Sequence, residues 1–277
     1  MEIIIVSFLN KYIVFNPLIK KRLKSFFRQF KKKVHLENYN VCPICNFEGR
    51  FLKLPEAFLD NYKIHGLAYP LSDFETLNIE NYNCKNCGAS DRDRLIALYF
   101  KKQFKSKDNF NVSLLDFAPS SSLFRFISEF NFKYRSADLY MENVDDKIDI
   151  QEMNIYEDAT FDIFICSHIL EHIDDDIKAM QELFRITKKN GIGVCLVPIP
   201  LSLNKSMEDK KYLSSEHLRW KYFGQDDHVR MYSKIDFIKR LSNVGFNVTP
   251  LGVEYFGKNT FEKHGISIKS VLYIVKK

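Results

Sequence analysis

From residue 112 onward the chain alternates short apolar runs with longer stretches in which apolar residues recur every three or four positions. The runs Val112 to Leu115, Tyr134 to Ala137, Phe161 to Cys166, Gly193 to Val197 and Val271 to Val275 predict strands, and the stretches between them predict helices. This alternation predicts an α/β domain over 110–277 with a mostly parallel sheet. A helix is expected over Asp175 to Thr187, stopped by Lys188, Lys189, Asn190 and Gly191, because cations followed by glycine close a helix. Upstream the pattern differs. After Pro17, Ile19, Leu23, Phe26, Phe27 and Phe30 recur at helical spacing among Lys20, Lys21, Arg22, Lys24, Arg28 and Lys31 to Lys33, which predicts a basic amphipathic helix within 1–36. Residues 3–19 are apolar but interrupted by Asn10, Lys11, Asn16 and Pro17, short of the run of about 20 residues that a membrane span needs.

With 277 residues, 45% of them hydrophobic, the chain can bury a large core, and global disorder is excluded. The net charge of +6 is unevenly placed: residues 1–33 carry nine Lys/Arg against one Glu, so the remaining 244 residues sum to −2. A uniformly basic, nucleic-acid-binding body is therefore not implied. Residues 17–33 suit either an anionic membrane surface or packing on the protein itself. No secretory signal is evident: Glu2 precedes the apolar stretch and the positive charges follow it. A cytoplasmic location is expected, with peripheral contact on the inner face of the membrane as the alternative role of this block.

Four of the six cysteines form two pairs, Cys42-Pro-Ile-Cys45 and Cys84-Lys-Asn-Cys87, the pattern of metal binding in a reducing compartment. Four thiolates at this spacing suit a closed tetrahedral zinc centre that stabilises folding, and a dithiol redox pair is disfavoured because nothing nearby reads as a thioredoxin unit. Gly49 and Gly88 are expected to supply the permissive backbone of the two turns. The 38 residues between the pairs exceed a compact ribbon's spacer, so Phe51 to Tyr82 is expected to form strands or a loop of its own within a module over 37–100. Asp91 to Arg94 open a helix whose Leu95, Ile96, Leu98 and Tyr99 can pack on the next domain. Its arginines are expected to make surface salt bridges or meet an anionic ligand.

The chemistry gathers where strands end, and open α/β sheets bind ligands at those carboxyl ends. The first strand runs into Asp116-Phe117-Ala118-Pro119-Ser120-Ser121-Ser122, and the second, 22 residues on, into Asp138-Leu139. An acid about 20 residues after a tight first loop is placed to hold ribose hydroxyls. Asp149-Ile150 follow, and the next strand runs into Ser167-His168-Ile169-Leu170-Glu171-His172.

This order resembles the class I S-adenosylmethionine-dependent methyltransferases, with "FDIFICSHILEHIDDDIKAMQELFRITKKNGIG" similar to their fourth motif and the helix and turn after it. "DFAPS", "HILEHIDDD", "VPIP" and "FGQDDHVRMY", with the upstream cysteine pairs, look like a bacterial subfamily of zinc-ribbon methyltransferases. The resemblance implies a Rossmann-like methyltransferase sheet that uses S-adenosyl-L-methionine, plus a zinc module. It implies that Asp116, Ala118, Pro119 and Ser120 line the methionine end of the cofactor, that Asp138 and Leu139 hold ribose, and that Asp149 and Ile150 frame adenine. Ser167 and His168 would face the methyl. Ala118, Ser120 and Ser122 stand where the family has glycines, so the loop is expected to follow a different path set by Pro119.

A neutral imidazole suits removal of a hydroxyl proton. His168 and His228 are the expected bases, with Arg230 orienting the acceptor, while His172 reads as a structural residue. The alternative for His228 is a loop residue anchored by Asp226 or Asp227. From a covering segment over Pro198 to Tyr222, Glu208, Asp209, His217 and Arg219 could reach the acceptor. No Asp-Pro-Pro-Tyr-type phrase follows the fourth strand, which disfavours base N-methylation. O-methylation of a sugar, glycan or other small hydroxylated metabolite ranks first. An RNA acceptor, to which the zinc module and the basic block would contribute, ranks second. A non-catalytic zinc scaffold at a membrane is the reading from a different class.

Overall fold

Residues 39–104 and 108–277 are described by the structure, a computed structural model. The basic helix expected within 1–36, with its membrane contact, lies outside them. Asn40–Val41 (β1) and Glu48–Gly49 (β2) pair antiparallel around the first cysteine pair. The two knuckles are built alike. Asn46 N donates to Cys42 O and Gly88 N to Cys84 O, while Cys42 N donates to Phe47 O and Cys84 N to Ala89 O, all between 2.8 and 3.0 Å. The residue after each second cysteine takes the left-handed conformation, Asn46 at φ 58° and Gly88 at φ 76°. The first turn therefore relies on Asn46 rather than Gly49, since asparagine is among the few side chains that tolerate this region.

Between the knuckles the chain forms a helix, α1 (Glu56–His65), and a single turn at Leu71–Asp73, where strands or a loop were expected. Helix α2 (Asp91–Gln103) starts at a capping box: Asp93 N donates to the Ser90 hydroxyl and Ser90 N to the Asp93 carboxylate. Its Leu95, Ile96, Leu98 and Tyr99 are buried as expected. Arg94 corrects the salt-bridge expectation. It is fully buried and donates to five carbonyl contacts, on Asn81, Tyr82, Ala89, His264 and Gly265. One guanidinium thus ties the second knuckle to the C-terminal region.

The sheet is assembled from β3 (Ser113–Phe117), β4 (Lys133–Asp138), β5 (Asp146–Lys147), β6 (Phe161–Ser167), β7 (Thr187–Leu196), β8 (Asn247–Leu251) and β9 (Leu272–Lys276). Its order is β5-β4-β3-β6-β7-β9-β8, parallel except at β9, which runs antiparallel to both neighbours. Successive side chains leave a strand on opposite faces, so each strand feeds two cores. Leu114, Ile165, Val194 and Ile274 enter the core shared with α2 and α3 (Ser121–Ser128), and the knuckle residues Cys42, Phe51 and Cys84 join it. Leu115, Phe164, Cys195 and Tyr273 enter the opposite core, with α4 (Asp176–Ile186) and α6 (Lys234–Asn243). Helix α5 (Glu216–Phe223) belongs to neither face.

The helix expected over Asp175 to Thr187 forms as α4, but Lys188 to Gly191 are not its cap. Helix α4 ends at Ile186, and Thr187 already pairs with Phe161, so Lys188 to Gly191 lie within β7. There the register jumps from Phe161↔Thr187 to Ile163↔Ile192, with Asn190 at φ 66°. Cations and glycine served a strand irregularity, which asks for the same backbone freedom. Asn40–Lys277 form one compact unit.

Candidate functional site

Strand order reverses at β3, whose neighbours are β4 on one side and β6 on the other. Crossovers from β3 and β6 leave in opposite directions at that point, opening a crevice at the carboxyl ends. A cavity of about 540 Å³ lies there, within the range that holds a nucleotide-sized ligand. Ala118, Asp138, Leu139, Asp149 and Ile150, the residues expected around the cofactor, line it. Asp138 Oδ1 accepts from Tyr140 N and Met141 N, each at 2.7 Å, which fixes the carboxylate and leaves Oδ2 for a ligand. Asp149 Oδ1 is held in the same manner by Gln151 N at 2.8 Å.

The loop after β3 does not take a path set by Pro119. Ala118 itself adopts φ 47°, the left-handed turn a glycine would make, at a cost of roughly 1–2 kcal/mol. Its N–H donates to Ala137 O at 3.0 Å, holding the loop against β4. Asp116, Pro119, Ser120 and Ser167 do not line the cavity. Asp116 lies beneath it, fully buried, accepting from the Tyr134 hydroxyl at 3.0 Å, and burial pushes its carboxyl up to about 7. Ser120 caps α3 by accepting from Leu123 N.

A second cavity of about 330 Å³ abuts the first. His168 and His172 line both, so these two rings form the wall between them. Its other sides are aromatic: Phe58 and Tyr62 of α1, Phe74, Tyr82 and Phe223. Arg92 is the one Lys or Arg among its lining residues. Its roof joins two distant segments, since Glu75 N donates to Ile199 O, Leu201 N to Asp73 O and Ala68 N to Lys221 O. Tyr62 meets Trp220 edge-on at 5.8 Å, and the Glu75 carboxylate receives Lys234 at 2.8 Å and the Tyr273 hydroxyl at 2.7 Å.

Five titratable side chains, His168, Glu171, His172, Asp227 and His228, converge at the dividing wall. β6 ends at Ser167, and His168, at φ 57°, turns back, its N–H donating to Leu196 O. His168 Nδ1 is 3.1 Å from Glu171 Oε1, His172 Nδ1 is 3.2 Å from Asp227 Oδ2, and His228 Nδ1 is 2.7 Å from Phe223 O. The His172 and His228 rings cross at right angles, 4.5 Å apart. Burial, and then Arg92, bring His168 down to about 4. Burial opposes the Glu171 charge, yet His168, His228 and His172 around it hold the carboxyl ionised, down at about 2. Burial also lowers His228. His228 is anchored by Phe223 O, while Asp227 anchors His172 instead.

Arg230 is not an acceptor-orienting residue. It is buried and donates to the carbonyls of Leu170, Ile173 and Asp174, stapling the turn that carries Glu171 and His172. The four covering-segment residues also stand elsewhere. Glu208 pairs with Arg240 and Arg230, Asp209 with Lys211, His217 with His65, and Arg219 donates to Leu213 O and Asp226 O. Glu171 at the centre of the cluster, and Arg92 and α1 as cavity walls, were not expected from the sequence. Glu171 had a signal in its place between two histidines, whereas nothing local marked α1.

The cysteines converge as their spacing implied. Cys42 Sγ is 3.7 Å from Cys87 Sγ and Cys45 Sγ is 3.6 Å from Cys84 Sγ. A tetrahedron with metal–sulfur bonds of about 2.3 Å has edges of about 3.8 Å.

The antiparallel β9 inserted between β7 and β8, the crevice at the switch point and the acid ending the second strand fit the class I S-adenosylmethionine-dependent methyltransferases. Residues 78–251 match the model of a family described as a methyltransferase domain, and the chain belongs to that family. Similar solved structures include a SAM-dependent methyltransferase from Archaeoglobus fulgidus (16% identity, 67% of this chain and 94% of that one, TM-score 0.45). Others are a putative methyltransferase from Bacillus halodurans (16%, 65% and 97%, 0.42) and an S-adenosylmethionine-dependent methyltransferase from Mesorhizobium loti (11%, 67% and 98%, 0.45). No curated protein matches the chain. The scaffold reading falls with the family assignment. Among the described residues no helix is long and apolar enough to cross a membrane.

Proposed function

We propose that this methyltransferase acts on a hydroxyl oxygen of a sugar, glycan or other small hydroxylated metabolite. The supporting observation is the pair of adjoining cavities that share His168 and His172 as their wall. S-adenosylmethionine, when bound, supplies an electrophilic methyl on a sulfonium. Asp138 Oδ2 is the acceptor for its ribose hydroxyls, Asp149 and Ile150 frame the base, and Ala118 brings backbone close to the methionine end. His168 stands between donor and acceptor with Nε2 carrying no hydrogen bond, so it is the group to receive the hydroxyl proton. The aromatic walls suit the apolar face of a sugar ring, and Arg92 suits an anionic or hydroxylated substituent. An RNA groove would need a track of cations, and among the described residues a single one lines the acceptor cavity.

The four cysteines are proposed to hold a structural zinc ion in a module over 37–100, as in zinc-ribbon methyltransferases, packed on the catalytic domain over 110–277. Their sulfur separations fit a tetrahedral ion, and the set leaves no position for a reacting water. The test of function is methyl transfer from labelled cofactor to a panel of free sugars, sugar phosphates and small diols beside total RNA. Label in alkali-stable small ethers is expected. Label in RNA alone would overturn the reading.

A further inference from the structure

Five buried side-chain polar atoms among the described residues make no well-aligned hydrogen bond, and four gather in one place: Glu171 Oε1, which has only the ion-pair contact of His168 Nδ1 at 3.1 Å, Glu171 Oε2, His168 Nε2 and His228 Nε2. Glu171 is fully buried. A buried carboxylate whose one close neighbour is a poorly aligned imidazole nitrogen at 3.1 Å is disfavoured unless further positive charge meets it. One ligand atom each from Glu171, His172 and His228 lie within 4.8 Å of one another. Donors around a single ion at about 2.1 Å stand roughly 3 to 4 Å apart, so a small closure brings the three onto one centre.

The imidazoles are already oriented for this. His228 Nδ1 faces a carbonyl and His172 Nδ1 a carboxylate, groups that only accept, so each Nδ1 carries the proton and each Nε2 keeps its lone pair. A carbonyl or carboxylate behind the ring is how metal-bound histidines are held. Val229 N donates to Glu171 O at 2.9 Å, and Arg230 clamps the carbonyls on either side, so the two ligand-bearing segments are fixed together.

We propose that Glu171, His172 and His228 bind one divalent first-row cation at the edge of the acceptor cavity, its open positions turned to acceptor hydroxyls. A donor set of two nitrogens and one oxygen suits manganese, iron, cobalt or zinc ahead of magnesium or calcium. The ion's role rests on the hydroxyl-acceptor reading, while its seat does not. Coordination lowers the pKa of an acceptor hydroxyl. The O–H bond then breaks with its proton passing to His168 Nε2, and the oxygen pair bonds the methyl carbon as the carbon–sulfur bond breaks, its electrons staying on sulfur. Two adjacent hydroxyls chelate one ion, so the favoured acceptor is a vicinal diol.

The test uses the full chain with its cysteines loaded with zinc, titrated with Mn2+ by electron paramagnetic resonance and with Co2+ by calorimetry. One ion bound beyond the zinc is expected. Affinity should fall at least a hundredfold in Glu171→Gln and His228→Ala and about tenfold in Asp227→Asn, whose exposed side chain can be changed without disturbing the fold. Neither ion binding, or binding unaltered in all three variants, overturns the proposal. Binding of S-adenosylhomocysteine by calorimetry on the same samples keeps the two ideas apart. Ion binding lost with the nucleoside retained removes the ion site alone, while loss of nucleoside binding in the unaltered protein removes the cofactor reading.

Discussion

The two cavities on either side of the histidine wall are made differently. The proposed cofactor crevice draws its side chains from strand ends and the turns just after them: Ala118 after β3, Asp138 and Leu139 at β4, Asp149 and Ile150 beyond β5. The proposed acceptor cavity draws on residues 54–92 and 198–228, brought together by backbone bonds such as Glu75 N to Ile199 O. A ligand common to a whole family can be held by features fixed by the sheet. An acceptor particular to one member is walled by insertions whose meeting depends on tertiary packing. Substitutions that act on one cavity and spare the other therefore test the division.

The largest separation is expected at the shared wall. His168→Ala should lower turnover by about 10²- to 10⁴-fold, the usual contribution of a positioned base, while affinity for S-adenosylhomocysteine stays within about twofold. Single-turnover kinetics beside calorimetry would read both. A collapse of nucleoside affinity with turnover otherwise intact would assign His168 to the cofactor side.

Next in size is a pH effect beneath the crevice. Asp116 is raised to about 7 by burial, against the opposing pull of the Tyr134 hydroxyl. With the folded pKa above the unfolded value of about 3.9, its stability contribution is fully present below pH 4 and lost as pH rises toward 7. Asp116→Asn cannot ionise and can still accept from Tyr134. The variant should match the parent near pH 4 and exceed it above pH 7, by on the order of 4 kcal/mol. Denaturant melts across that range measure the gap. Unchanged nucleoside affinity in the variant would place Asp116 in the fold rather than in the cofactor's contacts.

A smaller effect is expected at Asp138→Asn. Replacing a charged acceptor of two ribose hydroxyls should weaken nucleoside binding by about 1.5–3 kcal/mol, roughly 10- to 100-fold, with acceptor KM unaltered. Equal weakening of both ligands would mean that the cavities are not separable.

The same division explains what the sequence disclosed. Strand periodicity located the five main strands to within a few residues at most ends, and the acids at their ends followed from sheet geometry. The path of the first loop was misjudged because Ala118 accepts a left-handed backbone when the strand pairing around it outweighs the cost. Lys188 to Gly191 misled because a helix stop and a strand irregularity use the same residues. Arg230 looked like a substrate residue because an arginine in a polar loop gives no local sign of three carbonyls converging on it. Helix α1 carries no strong amphipathic stripe and none of its residues is buried, so its role as a wall rests on α5 across the roof.

The smallest expected effect bears most directly on the acceptor. Arg92 stands one residue into α2, beside the Asp91 and Asp93 carboxylates of the first turn, and is the only Lys or Arg among the described residues lining the proposed acceptor cavity. Arg92→Ala removes one charge-assisted contact while the capping box of Ser90 and Asp93 remains, so the fold should hold. For an acceptor bearing a carboxylate or phosphate, KM should rise about tenfold, near 1.4 kcal/mol, with kcat and nucleoside affinity nearly constant. For a neutral diol the rise should be about twofold. Comparing the two acceptors in one variant therefore reports the charge of the natural substrate without its identity being known. Adding salt sharpens the reading. A single cation in a confined cavity gives a shallow dependence of KM on ionic strength, whereas a polyanion bound across many cations loses affinity steeply.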